Sequence, residues 1–406
     1  MIVPPTGPST PEADSHYSAD TLYSAFTAVA LRYGEHAALR YREDGTWHHI
    51  TYNGLRRKID CVAAALARRG VTPGDRVGIF SCPCPEWIMA ELAAAKLGAV
   101  IVAIPPDLAI ARVTAIIERH RIGTLFVRNR AALAKLPRLA VRTVLLEHDG
   151  QSGCIDFKEL LAGSARAAHI PEWRVSACDP ARIVCHPEPD YTALTHGAIL
   201  SHVRSFNAAH GLSPKDTTLS YPPPFRLLER TLGHYALLLA GGCIGFAEDP
   251  AGIAPLLARF RPTIMWAMPR ELERACVSAA DTLRHNRPSW RRLVVAAALV
   301  CLRETSPHRI HPPFRRLKRG LFDLVVFRRL RDLVGGRMRL LVTGETPGPR
   351  LTDTLHLLGI DITTGHALTP ASPPVTCKHS PAPDTPCTLD PLPLRSDGII
   401  SRSYAF

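Results

Sequence analysis

The stretch IVCHPEPDYTALTHGAILSH, Ile183 to His202, begins as a buried strand and ends in a small-residue turn that runs into a helix. Strand, turn and helix N-terminus in that order form the layout of a phosphate loop, where backbone amides and the helix dipole face an anion. Such a loop depends on glycines for close backbone approach and gains from a lysine. The middle of this stretch has neither. Pro187 and Pro189 remove backbone donors and fix φ, while Glu188 and Asp190 bring negative charge toward any polyanion.

Strands and helices alternate on both sides of it. Upstream, Asp20 is placed to cap a helix through Leu31, with Gly34 ending it in a left-handed conformation. HAALRYREDGTWHHIT reads as two strands about an Asp-Gly turn, and Thr51 caps a helix with Leu55, Ile59, Val62 and Leu66 on one face. DRVGIFS, AVIVAIP, TLFV and TVLLE follow as strands, separated by helices such as PEWIMAELAAAKLG and IARVTAIIERH. Downstream, the strands TTLSYPP, CIGFAED, TIMWAMP and MRLLVTGE alternate with the helices ERTLGHYALLLAGG and AGIAPLLARF. Helix-length crossovers predict an α/β fold with parallel sheets covered on both faces. The expected division is a disordered leader over 1–19, one α/β subdomain over 20–178, a second over 179–370, and a proline-rich segment over 371–406.

Composition narrows the function classes. With 406 residues, 46% of them hydrophobic and 21% charged, the chain has material for two or three packed units. The longest apolar runs, such as Leu293–Leu302, fall short of the ~18 residues that argue for a membrane span. The first residues lack the basic start and apolar core of a signal peptide, so a cytoplasmic protein is expected. Eleven cysteines without even spacing, the closest pair being Cys82 and Cys84, read as reduced thiols. The net charge of +13 is concentrated in the 309–339 segment, where Phe314, Leu317, Leu321 and Leu324 recur at helical spacing among arginines. That pattern is either a core helix with a solvated face or a basic amphipathic helix on the acidic inner surface of a membrane. No aromatic interleaving or module motif points to nucleic acid. The 18 histidines form no cluster at metal-ligand spacing, and no GxSxG, HExxH or GxGxxG element supports another enzyme class.

Several longer pieces carry a resemblance. TWHHITYNGLRRKIDCVAAALARRGVTPGDRVGIF, PEWIMAELAAAKLGAVIVAIP, LERTLGHYALLLAGGCIGFAE, RPTIMWAMPRELER and LVGGRMRLLVTGETP together resemble, in order, the adenylate-forming acyl-CoA synthetases of long-chain fatty acid ligase type. The resemblance implies the large N-terminal part of such an enzyme, two sheet-and-helix subdomains with 371–406 as a remnant of a third, and an end before the family's small mobile domain. It also implies an ancestral reaction in which ATP and a carboxylic acid form an acyl-adenylate that passes to coenzyme A.

Against the family's loop, close to TSGTTGxPKG, the segment HPEPDYTALTHG retains Thr192, Thr195 and Gly197 as contacts and puts His196 where the lysine would stand. The family's GYGxTE resembles GHALTP, with Gly365, His366 and Thr369 at the nucleotide and Pro370 replacing the glutamate that would hold magnesium. Gly344, Glu345 and Thr346 stand at the GGAP station, and Arg226, Glu229 and Arg230 at the acyl pocket. No residue is assigned a catalytic or metal-binding role. The expectation is a degenerate long-chain acyl-CoA synthetase homologue, inactive or strongly impaired in fatty acid activation, with an acyl chain or coenzyme A ester as a remaining partner. Two other readings stay open: an active ligase with an altered phosphate loop, completed in trans and using ATP and magnesium, and a basic peripheral membrane protein.

Overall fold

The computed structural model describes residues 20–138, 140–147, 153–162, 173–185, 191–220, 233–247, 253–266, 331, 335–343, 352, 355–356 and 358–364. In chain order these form α1 (Leu22–Arg32), the hairpin β1 (Ala37–Glu43) and β2 (Thr46–Thr51), and α2 (Tyr52–Arg68). An alternating run follows: β3 (Arg76–Phe80), α3 (Pro85–Lys96), β4 (Val100–Ile104), α4 (Ile110–Arg119), β5 (Thr124–Val127), α5 (Arg130–Leu133), β6 (Arg142–Leu145), β7 (Ile155–Asp156) and α6 (Phe157–Ala162). Next come β8 (Pro180–Cys185), β9 (Tyr191–Thr195) and α7 (His196–His210). The last elements are β10 (Thr217–Ser220), α8 (His234–Leu239), β11 (Cys243–Phe246), α9 (Ile253–Phe260), β12 (Ile264–Trp266), β13 (Leu340–Thr343) and β14 (Asp361–Thr364).

Two sheets result, in the orders β7-β6-β5-β3-β4-β8-β9 and β14-β13-β12-β10-β11-β1-β2. All pairs are parallel except β1–β2 and β8–β9. The interior strands β3, β4 and β5 are apolar nearly throughout, as strands covered on both faces must be. One core unites α1, α2, α3, α7 and α8 with the inner faces of both sheets, through residues such as Phe26, Leu55, Trp87, Val203 and Leu237. The outer faces are closed by α4 on one sheet and α9 on the other. Layering is therefore helix, sheet, helix, sheet, helix.

Each sheet takes strands from both sides of the expected division at 178/179. β1 lies beside β11, with Leu39 opposite Ile244, so the first hairpin edges the sheet that 217–364 builds. Conversely, β8 and β9 extend the sheet of 76–156, with Ile101 opposite Arg182. Pairing between strands two hundred residues apart leaves no local pattern.

Local corrections have simple causes. Thr21 rather than Asp20 caps α1, because its hydroxyl and that of Ser24 form a reciprocal capping box. Gly34 is not left-handed; a Cβ there would lie 2.3 Å from Asn53 Nδ2, so close packing against the Asn53 side chain and not chain reversal favours a small residue. Thr51 caps α2 as its spacing predicts, accepting from the Gly54 amide at 3.1 Å. Among the described residues no helix is long and apolar enough to cross a membrane.

Candidate functional site

The site that sequence comparison marks is the hairpin of β8 and β9. Its register runs Arg182–Leu194, Ile183–Ala193, Val184–Thr192 and Cys185–Tyr191, so residues 191–195 are an antiparallel strand and not part of a loop. Only the five residues His186–Asp190 connect the two strands. The expected loop through residue 197 is thereby corrected. YTALT is short and mixes apolar with small polar residues, which hid the strand from periodicity alone.

Each of the four loop residues that can be placed has a role in the frame. Thr192 pairs opposite Val184 within the ladder. Thr195 is the N-cap of α7, its hydroxyl accepting from the Ala198 amide at 3.2 Å. The Gly197 amide donates to Ala177 O at 2.8 Å, and a Cβ on Gly197 would approach that oxygen to 3.1 Å.

His196 differs most from the expectation. Its ring is fully buried and its Nδ1 accepts the Leu22 amide of α1 at 3.3 Å, pinning the first helix to the hairpin. Nδ1 as acceptor places the neutral ring's proton on Nε2, which is buried without a partner. Desolvation lowers its pKa to about 4, against a smaller opposing pull from Asp179. A neutral, enclosed imidazole supplies no positive charge, so the position predicted to replace the loop lysine is a packing and helix-anchoring residue.

Beneath the hairpin lies a group that sequence reading missed. Arg182 of β8 forms an ion pair with Glu91 of α3, both side chains at most 5% exposed. Trp87 Nε1 donates to the other oxygen of Glu91 at 3.2 Å. A lone arginine in PARIVC and a glutamate in the apolar middle of PEWIMAELAAAK were the available signal, since buried charges must be paired. At the other end of the hairpin, the Tyr191 ring meets His120 edge-on at 4.8 Å and the Arg119 guanidinium at 5.0 Å, fastening β9 to the end of α4. Burial raises the Cys185 thiol to about 11, so it is protonated at neutral pH.

Gly344, Glu345, Thr346, Gly365, His366, Thr369, Arg226, Glu229 and Arg230 lie outside the described residues, as does the 309–339 segment except Arg331 and 335–339. Among the described residues no group of three or more His, Cys, Asp or Glu could hold a metal ion.

A two-sheet frame with a strand-hairpin-helix unit between the layers is specific enough to compare with known proteins. The family model described as AMP-binding enzyme matches residues 26–393. The chain belongs to the AMP-binding enzyme family. The long-chain-fatty-acid–CoA ligase FadD15 of Mycobacterium bovis is 27% identical over 345 residues, covering 81% of this chain and 57% of that protein. Fatty acyl-CoA synthetase A of Dictyostelium discoideum is 24% identical over 344 residues, covering 77% of this chain and 48% of that protein. The chain thus spans about half the length of these relatives. Among solved structures, the N-terminal domain of FACL13 from Mycobacterium tuberculosis matches with a TM-score of 0.60 at 18% identity, covering 86% of this chain and 76% of that one. The architecture of this AMP-binding protein is that of the N-terminal domain of adenylate-forming enzymes.

Proposed function

We propose that this AMP-binding-family chain keeps the frame of a long-chain acyl-CoA synthetase and has lost, or nearly lost, ATP-dependent activation of a fatty acid. One observation carries the reading: the hairpin register leaves only His-Pro-Glu-Pro-Asp where the family presents a glycine- and lysine-bearing loop. Five residues with two missing amide donors and two carboxylates are a poor cradle for a triphosphate. The neighbouring His196 adds no charge, being buried and neutral above about pH 4. The residue types of this connection do not suit ATP and magnesium. An acyl chain or a coenzyme A ester remains the partner class that the relatives' names favour.

Losing one preorganised electrostatic donor typically costs 10²–10³ in rate, and a lysine together with several loop amides exceeds that. Purified protein given ATP, magnesium and a range of fatty acids is expected to release no pyrophosphate above a boiled control. Fatty-acid-dependent pyrophosphate release would overturn the reading and establish an active ligase with a rebuilt loop.

A further inference from the structure

A second site lies on the opposite sheet, at its β1–β2 edge. There a depression of about 270 Å³ is lined by Arg40, Trp47, His48, His49, Arg259 and Phe260. One register row explains its shape. Gly245 of β11, Arg40 of β1 and His49 of β2 stand side by side across the sheet. Phe260, at the end of α9, lies directly over Gly245; a Cβ on that glycine would come within 2.3 Å of the ring. With no side chain at 245 the phenyl ring sinks against the sheet, and α9 ends at Phe260, beside β1 and the edge strand β2. Trp47, two residues before His49 and on the same face, packs against Phe260 with ring centroids 5.2 Å apart. The floor and one wall are thus aromatic.

The remaining walls are basic. Arg40 and Arg259 are exposed and, among the described residues, have no ion pair or hydrogen-bond partner, unlike Arg182, Arg128 and Arg339, which are each matched to a carboxylate. Among the described residues no acidic side chain lines the depression. Two unmatched guanidiniums beside an indole and a phenyl ring offer forked donors for an oxyanion and an apolar face for a ring.

We propose that this depression is a binding site for a small anion that joins a phosphate head to a flat aromatic ring, with Arg40 and Arg259 holding the head and Trp47 and Phe260 the ring. The site is separate from the β8–β9 hairpin and independent of whether the chain activates a fatty acid. Phenyl phosphate is a suitable probe, titrated calorimetrically into the full chain beside inorganic phosphate and phenol. Saturable one-to-one binding of phenyl phosphate is expected, at least tenfold tighter than either fragment and weakened by salt. R40E/R259E should weaken it tenfold or more, and R40Q to a smaller extent. Both substitutions fall on exposed side chains, and an unchanged near-ultraviolet dichroism spectrum would verify the fold. Absence of binding, inorganic phosphate binding as tightly as phenyl phosphate, or a folded R40E/R259E protein that binds like wild type would overturn the proposal.

Discussion

The root and the connection of the β8–β9 hairpin make opposite use of charge. At the root, Arg182 and Glu91 are buried together, Thr195 caps α7, and His196 is held neutral against the α1 amide. In the connection, the five residues 186–190 carry two carboxylates and two prolines with no cation beyond a histidine. The root is paired and capped in its main contacts, with His196 Nε2 the exception, while the connection lacks the glycines and the lysine on which polyphosphate loops rely. Frame and chemistry are thus separable in this chain: residues that hold the layers together answer to burial and pairing, and residues that would meet a ligand answer only to that ligand.

Breaking the root should have the largest effect. Arg182→Ala would leave Glu91 charged, buried and unpaired, a change that costs about 3–5 kcal/mol. Urea unfolding should show that loss, whereas Arg182→Met combined with Glu91→Leu should recover most of it, because an apolar pair avoids the uncompensated charge. If the single and double variants are equally destabilised, the pair's role at the root is wrong.

Acid should act on the same region with a smaller effect. The His196 pKa of about 4 in the folded protein lies below the ordinary 6.5, so the unfolded chain binds more protons between those values. Stability is therefore full above about pH 6.5 and falls as pH drops toward 4, by on the order of 3 kcal/mol in total. His120, also lowered to about 4 by burial and by Arg119, adds a loss in the same direction. His196→Asn keeps an acceptor for the Leu22 amide and removes the titration. Its thermal midpoint should be less sensitive to pH than wild type across that window; an unchanged slope would contradict the buried, neutral assignment.

The smallest effect is expected at the helix cap. Thr195→Ala should cost about 1 kcal/mol, measured as a shifted urea midpoint with an unchanged slope, since only the bond to the Ala198 amide is lost. A neutral result would move Thr195 from the frame back toward a ligand-facing role.

The sequence made some of this legible. The β3–α3–β4–α4–β5 run could be read directly, because apolar strands and one-faced helices leave local periods. Membership of β1 in the far sheet could not, since its pairing with β11 is decided by tertiary packing. At the hairpin the residue types are legible in the sequence and their geometry is not. The prolines and carboxylates at 187–190 were visible as residues, but a family loop pattern drew 191–197 into the loop. The register assigns those positions to a strand and a helix start. His196 shows the limit most clearly: a histidine at a lysine's station is a substitute cation only if water reaches it, and burial is not written in the residue itself.

Magnesium-ATP titration by calorimetry is the most direct test for a family frame without a polyphosphate site. R40E/R259E protein is the material of choice, so that the depression at the β1–β2 edge does not contribute. No saturable heat is expected at millimolar nucleotide. Saturable one-to-one binding in that variant would contradict that expectation and return the hairpin connection to the nucleotide.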